Sequence, residues 1–222
     1  MNKTVWFLTG NKGKLAEVEN HLGKLGYIVK QLVVDNQKLY EPQSDNLLEV
    51  AKSKINQALS FLPQNNESND MILVEDAGLF IDALQGFPGV YSSYVYETIG
   101  VSGVLRLLSH LESEDSVTSA KLRSAHFKAV AAIWHNGEIL IGEGICPGHI
   151  ASKPVEGNGF GYDPIFIPFD LDGDKKPLSP GVYGEYSTHG VPFGGVDNNI
   201  KENFSHRSEA LEDLFNQLPS AS

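Results

Sequence analysis

Thr4-Val5-Trp6-Phe7-Leu8-Thr9-Gly10-Asn11-Lys12-Gly13-Lys14 is the stretch on which the fold turns. Thr4 to Thr9 is an apolar run of strand length, and Gly10-Asn11-Lys12-Gly13 ends it with turn residues. Beyond the turn, Leu15, Val18, Leu22 and Leu25 recur at helical spacing with Lys14, Glu17 and Glu19 between them. Strand, loop and amphipathic helix in that order point to an α/β fold.

The pattern continues outward. Tyr27 to Val34 suits a second strand, and the polar stretch 35–45 reads as a loop. With Asp45 as N-cap, Leu47, Leu48, Ala51, Ile55, Ala58, Leu59 and Leu62 trace one helix face that Pro63 closes. A polar loop over 64–70 then leads to Met71-Ile72-Leu73-Val74, a short buried strand that delivers Glu75 and Asp76 at its C-terminal end. Open α/β sheets bind ligands at such ends.

The middle of the chain changes character. Gly86-Phe87-Pro88-Gly89 is a turn, and Val101 to Leu111 is a helix. Ala125, Phe127, Ala129, Ala131 and Ile133 alternate with their neighbours as a long strand running to Trp134. Asn136-Gly137 is a hairpin signal ahead of Glu138 to Cys146, so this region reads as an antiparallel lobe. The stretch 169–199, rich in Gly, Pro and Asp, lacks an apolar period and reads as a long loop; within it 170–199 is taken as an insertion. Leu211, Leu214, Phe215 and Leu218 mark a last helix entered through Ser205-His206-Arg207-Ser208.

Composition narrows the possible functions. With 222 residues, 41% of them hydrophobic and 20% charged, the chain can bury a substantial core. A net charge of −11 argues against a nucleic-acid polymer or an anionic membrane as partner, since both demand clustered Lys and Arg. No run approaches the roughly 20 apolar residues of a membrane helix, and Met1 to Leu8 has no signal-peptide core, so cytoplasm is the expected location. Cys146 is the single cysteine, which rules out an intrachain disulfide and a cysteine-based zinc site.

Four constellations could carry chemistry. Thr9 to Lys14 lies between a strand and a helix, where backbone N–H groups and the helix dipole can hold phosphate. It is not a Walker A loop, because two residues rather than four separate Gly10 from Gly13, and Leu15 follows Lys14. An ordinary strand-to-helix connection remains open as an alternative. Glu75-Asp76 could coordinate Mg2+ and activate water, or be a solvated acidic turn. Gly159-Phe160-Gly161-Tyr162-Asp163-Pro164 offers aromatic faces for a nucleobase and a carboxylate for its N–H edge, or simple packing. Ser205-His206-Arg207 offers donors to phosphate or carbonyl, or a helix cap with a surface arginine.

In order and company these segments resemble the inosine triphosphate pyrophosphatase family. The matching pieces are Thr9-Gly10-Asn11 with Lys14 and Glu17, then Glu75-Asp76-Ala77-Gly78-Leu79, then Ala83-Leu84 through Gly86, Pro88-Gly89 and Tyr91-Ser92. Gly159 to Pro164, Ser205-His206-Arg207 and Ala210-Leu211 complete the set, which spans nearly the whole chain. The resemblance implies a single two-lobed α/β domain over 1–222 with a mixed sheet, flanking helices and a central nucleotide-binding cleft. It also implies a homodimer that hydrolyses non-standard purine nucleoside triphosphates (ITP, dITP, XTP) to the monophosphate and pyrophosphate, with Mg2+ or Mn2+ as cofactor. By position, Asp76 would be the general base and a metal ligand, with Glu41 a second metal ligand. Thr9, Asn11, Lys14 and Lys201 would contact the triphosphate, with Gly10 and Ala77 also among the substrate-binding residues. Phe160, Gly161, Tyr162 and Asp163 would shape the base pocket, with His206 and Arg207 at its polar edge.

This chain departs from the family pattern in three places. Ala77 replaces a usual Ser or Thr, Ser93 stands near a usual Lys or Arg, and the 170–199 segment is longer and richer in glycine than its counterparts. They leave two alternatives beside the leading reading: a related nucleotide pyrophosphatase with a shifted substrate, and a non-catalytic nucleotide-binding protein.

Overall fold

A computed structural model describes residues 4–34, 39–40, 42–61, 70–157 and 159–218. Among the described residues seven strands form one mixed sheet in the order β2 (Ile28–Leu32), β1 (Thr4–Leu8), β3 (Met71–Ile81), β5 (Ser124–His135), β6 (Glu138–Ile150) and β7 (Phe166–Pro168), with β4 (Pro88–Gly89) pairing β3. β1 (Thr4–Leu8) lies parallel to both β2 (Ile28–Leu32) and β3 (Met71–Ile81). Parallel neighbours need crossover connections, and α1 (Lys12–Lys24) and α2 (Leu47–Ala58) supply them. The antiparallel part is made by β4 (Pro88–Gly89), β5 (Ser124–His135), β6 (Glu138–Ile150) and β7 (Phe166–Pro168).

Local sequence explains the joints. Asn136 and Gly137 both take positive φ, 51° and 90°, as a type I′ turn requires, and fold β5 back into β6. Gly78 has no freedom to be anything else, since a Cβ there would stand 2.2 Å from the Gly89 carbonyl oxygen on β4. The remaining helices are α3 (Ser92–Thr98), α4 (Gly100–Leu107), α5 (Ser116–Leu122), α6 (Asn198–Glu202) and α7 (His206–Asn216).

Several expectations need correction. The short strand ending at Val74 is an eleven-residue strand, because the apolar run resumes at Leu79 and Ile81 and β4 pairs with that half. Glu75 and Asp76 therefore lie within β3, just past its pairing with β1 at Leu73, and not at its end. The N-cap of α2 is Asn46, whose side chain accepts from Leu48 N, and not Asp45. β6 runs on to Ile150 rather than stopping at Cys146, and 169–199 contains a 3-10 turn at Phe193–Gly195 and the start of α6. Leu62, Pro63 and the proposed metal ligand Glu41 lie outside the described residues.

The chain divides into two compact units. Unit 1 comprises Met1–Asp76, Ala129–Gly144 and Arg207–Ser222, and its interior is built on fully buried Val5, Phe7, Val18, Leu22, Ile55, Leu73, Ile133 and Leu214. Unit 2 comprises Ala77–Lys128 and Ile145–His206, with a core that includes Leu79, Ile81, Val104, Leu108, Ile150, Ile165, Phe166 and Phe193. Cys146 is buried in that second core, as a small apolar residue would be. Among the described residues no helix is long and apolar enough to cross a membrane.

Candidate active site

Successive residues of a strand project to opposite faces, and this separates Glu75 from Asp76. The Glu75 side chain is wholly buried and meets Lys14 of α1, whose Nζ lies 2.7 Å from Oε2, and Arg207 of α7, whose Nε lies 3.3 Å from Oε1. Arg207 also donates through Nη1 to Glu17. Burial works against the Arg207 cation, but Glu75 and Glu17 outweigh it and hold the guanidinium above its ordinary pKa.

Asp76 instead meets Lys54 of α2, whose Nζ lies 2.8 Å from Oδ1. Its second oxygen, Oδ2, is buried without a hydrogen-bond partner among the described residues. Burial raises the carboxyl above the usual carboxylate range, and Lys54 and Lys14 reverse this only in part. An acidic oxygen held open and made more basic by its surroundings suits proton abstraction or a hard cation.

The loop before α1 is already well organised. Asn11 Oδ1 caps the helix by accepting from Gly13 N at 2.8 Å and Lys14 N at 3.2 Å. Thr9 Oγ1 accepts from Asn11 N, and Gln31 Nε2 donates to Thr9 O, which fixes the chain on both sides of Gly10. Asn11 thus uses its acceptor on the backbone, leaving the Thr9 hydroxyl proton and the Asn11 amide nitrogen as donors for an anion.

Unit 2 holds a different assembly. Phe160 is 48% exposed, and its backbone N–H donates to Asp163 Oδ2 at 3.0 Å. The same oxygen takes Lys201 Nζ at 2.6 Å, and that ammonium lies 5.0 Å from the centre of the Phe160 ring. Gly161 takes φ 62°, the left-handed turn that lets the chain reverse between Phe160 and Tyr162. Tyr162 is buried, donates from its hydroxyl to Ser92 O at 3.0 Å, and meets Tyr96 edge to face. Burial, and then Tyr96, push its phenol up to about 12. His206 stacks on Phe127, ring centres 5.1 Å apart.

The structure brings some of the residues singled out in the sequence together and holds others apart. Lys14 stands beside the acidic pair, and Phe160 and Asp163 share one loop. Arg207, expected at the polar edge of the base pocket, is 5% exposed and stands against two carboxylates of unit 1, Glu75 and Glu17. Lys201, expected among the triphosphate contacts, is paired with Asp163 beside Phe160. Tyr162 supports its loop from beneath rather than offering a face to a base. Lys54 was missed, because nothing in the helical pattern distinguishes it from Lys52 two residues earlier. Among the described residues no group of three His, Cys, Asp or Glu side chains could hold a metal ion by itself.

Lysines on paired carboxylates in a parallel α/β unit suit a phosphorylated ligand, and unit 2 separately carries an aromatic loop whose Asp163 pairs with Lys201 of α6; each is a feature of nucleotide-binding α/β proteins. The chain belongs to the Ham1 family, whose pattern matches residues 5–217. It is 38% identical to a dITP/XTP pyrophosphatase of Thermococcus kodakarensis, covering 96% of this chain and 95% of the relative. It is 36% identical to a dITP/XTP pyrophosphatase of Hyperthermus butylicus, covering 97% and 95%. Among solved structures, a HAM1 protein from Coxiella burnetii superimposes with a TM-score of 0.67 at 29% identity, covering 96% of each chain.

Proposed function

We propose that this chain hydrolyses non-standard purine nucleoside triphosphates (ITP, dITP and XTP) to the nucleoside monophosphate and pyrophosphate, as a cytoplasmic homodimer. The observation that carries the chemistry is Asp76, a buried carboxylate with elevated basicity and an open Oδ2, in the unit that also presents Lys14 and Lys54. Asp76 takes the proton of the attacking water, and the two lysines offset the charge of the triphosphate. Exposed Tyr91, Tyr94, Tyr96 and Ile99 on and beside α3 supply apolar surface for the second copy.

The residues fit a divalent metal of modest protein ligation. Mg2+ commonly binds through about one or two carboxylates, with water and substrate phosphates completing its shell. Asp76 Oδ2 is available for this role, and Glu41 is the proposed second ligand. The ion would neutralise phosphate charge.

Selection of the base rests on unit 2. Phe160 offers a half-exposed ring for stacking, and the Lys201 ammonium beside it favours an acceptor at position 6 of a purine over adenine's amino group. Purified protein with Mg2+ is therefore expected to release pyrophosphate from ITP and XTP much faster than from ATP, and selection against GTP, which shares the 6-oxo group, must act at the 2-position. Orthophosphate as product, or equal rates on all purines, would overturn this reading.

A further inference from the structure

We infer that Arg123 is a positioning residue for the loop that carries Phe160, acting through the backbone and not on a ligand; this rests on the base-stacking reading above. Arg123 stands between α5 and β5, is 2% exposed, and aims its guanidinium at carbonyls and not at a carboxylate. Nε donates to Ile150 O at 2.7 Å and Nη2 to Ala151 O at 2.8 Å. Nη1 donates to Leu108 O at 2.8 Å, where α4 ends and its last carbonyls favour a cation. Ile150 N returns a bond to the Arg123 carbonyl at 2.9 Å. One side chain thus clasps the end of α4 to the end of β6.

The excursion that carries Phe160 leaves directly from this clasp. Ala151 N donates to Ile165 O at 2.8 Å and Val155 N to Pro164 O at 3.0 Å, so 151–155 and 164–165 form the neck of the loop. Beyond the neck, Asp163 N donates to Phe160 O and Ile165 N to Tyr162 O, which closes the turn on itself. The Asp163–Lys201 pair steadies the ring side of the loop, whereas the neck is placed from the other end, by Arg123. Packing does not do this in its stead. An open groove of about 700 Å³ lies between Val101, Leu105 and Arg106 on α4 and Pro154, Val155 and Pro164 at the neck. The guanidinium bridges the two sides where side chains leave that gap, and its planar fork reaches three carbonyls on two elements at once, which a single ammonium does not reproduce. A stacking face held in place by such support binds without first being ordered.

Inorganic tripolyphosphate, which has no base, separates positioning of the base loop from a general structural role. Arg123→Met is expected to raise KM for ITP and XTP about tenfold, and Arg123→Lys, which keeps the charge but not the fork, about threefold. In both, kcat and competitive inhibition by tripolyphosphate should stay within about twofold of the wild type. A merely structural arginine would weaken ITP and tripolyphosphate together, or lower the melting temperature and move neither; each of these results overturns the inference. Arg123→Met leaves buried carbonyls without donors, and should it fail to fold, Arg123→Lys decides by hydrogen exchange. Its amides over 151–165 should exchange about tenfold faster than in the wild type while those of β1 and α1 do not change, and unchanged exchange over 151–165 refutes the role. If the wild-type protein releases no pyrophosphate, the proposed reaction fails separately, and the exchange comparison still decides the role of Arg123.

Discussion

The two units bury polar chemistry in different proportions of ionic and neutral groups. Unit 1 buries ions in partnership: Glu75 between Lys14 and Arg207, and Asp76 against Lys54. Unit 2 buries one carboxylate against a cation, Asp163 with Lys201, and otherwise encloses groups that stay neutral, the half-buried His149 and the buried Tyr162, while the buried Arg123 is satisfied by the carbonyls of Leu108, Leu111, Ile150 and Ala151. Its functional face is instead the half-exposed Phe160 with Lys201 at its side. Reacting with a polyanion requires charges held ready, and their desolvation cost is met by pairing. Recognising a flat base requires an apolar surface, and a rigid neutral interior is enough to hold one.

The sharpest break of this contrast is Asp76→Asn. It should lower kcat by about 10²- to 10⁴-fold, the usual contribution of a general base, while tripolyphosphate still binds. The same variant has a stability signature. Because the folded-state pKa of Asp76 is raised, the unfolded chain loses this proton first as pH rises, and above the folded pKa the buried charge lowers stability. In chelator, Asp76→Asn should therefore melt above the wild type at pH 7, and the gain should vanish in acid. Near-normal turnover would remove Asp76 from the mechanism.

Acid tests unit 2 through His149, whose pKa is lowered to about 4 by burial and then by the charge of Arg123. Above its ordinary value the imidazole is neutral in both states and contributes no pH dependence. As pH falls, the unfolded chain takes up the proton before the folded one, and stability is lost down to the folded pKa. The full effect is up to about 3 kcal/mol for a shift of this size. His149→Gln should flatten the fall in urea midpoint between pH 7 and pH 4.5; an unchanged slope would mean that unit 2 does not hide a neutral histidine.

Phe160→Ala tests the exposed half of the comparison. Loss of a stacking face costs about 1 to 3 kcal/mol per base, so KM for ITP should rise by roughly tenfold or more with kcat nearly retained. Tripolyphosphate inhibition should be untouched, because that ligand has no base to stack. A parallel loss for tripolyphosphate would erase the division of labour between the units.

The sequence made the opening α/β unit legible because Val18 and Leu22 keep a 3.6-residue period, and the hairpin because Asn136-Gly137 admits few other conformations. The acidic pair was visible, and the family resemblance implies Asp76 as the base with Glu75 in support, but the opposite faces of the two side chains were not: the apolar run appeared to end at Val74, and only pairing with β4 shows that the strand continues. Arg207 read either as a donor to a ligand or as a surface arginine beside a helix cap, because one-dimensional context says nothing of its pairing with Glu17, 190 residues away in the chain. Lys54 carries no local mark at all, since its meaning comes from Asp76 on a neighbouring strand.

The smallest expected effect probes how unit 2 holds its platform. Tyr162→Phe deletes one buried hydrogen bond, from the hydroxyl to Ser92 O, and leaves the ring packed against Tyr96. The stability cost should be about 1 kcal/mol, the net worth of such a bond. If this bond steadies the 159–163 loop, KM for ITP should rise by no more than about threefold, which corresponds to less than that energy, and tripolyphosphate inhibition should not move. A stability loss with KM unchanged would show that the Phe160 ring is held by the Asp163–Lys201 pair alone. The Ser92 segment would then belong to the core of unit 2 and not to its recognition of the base.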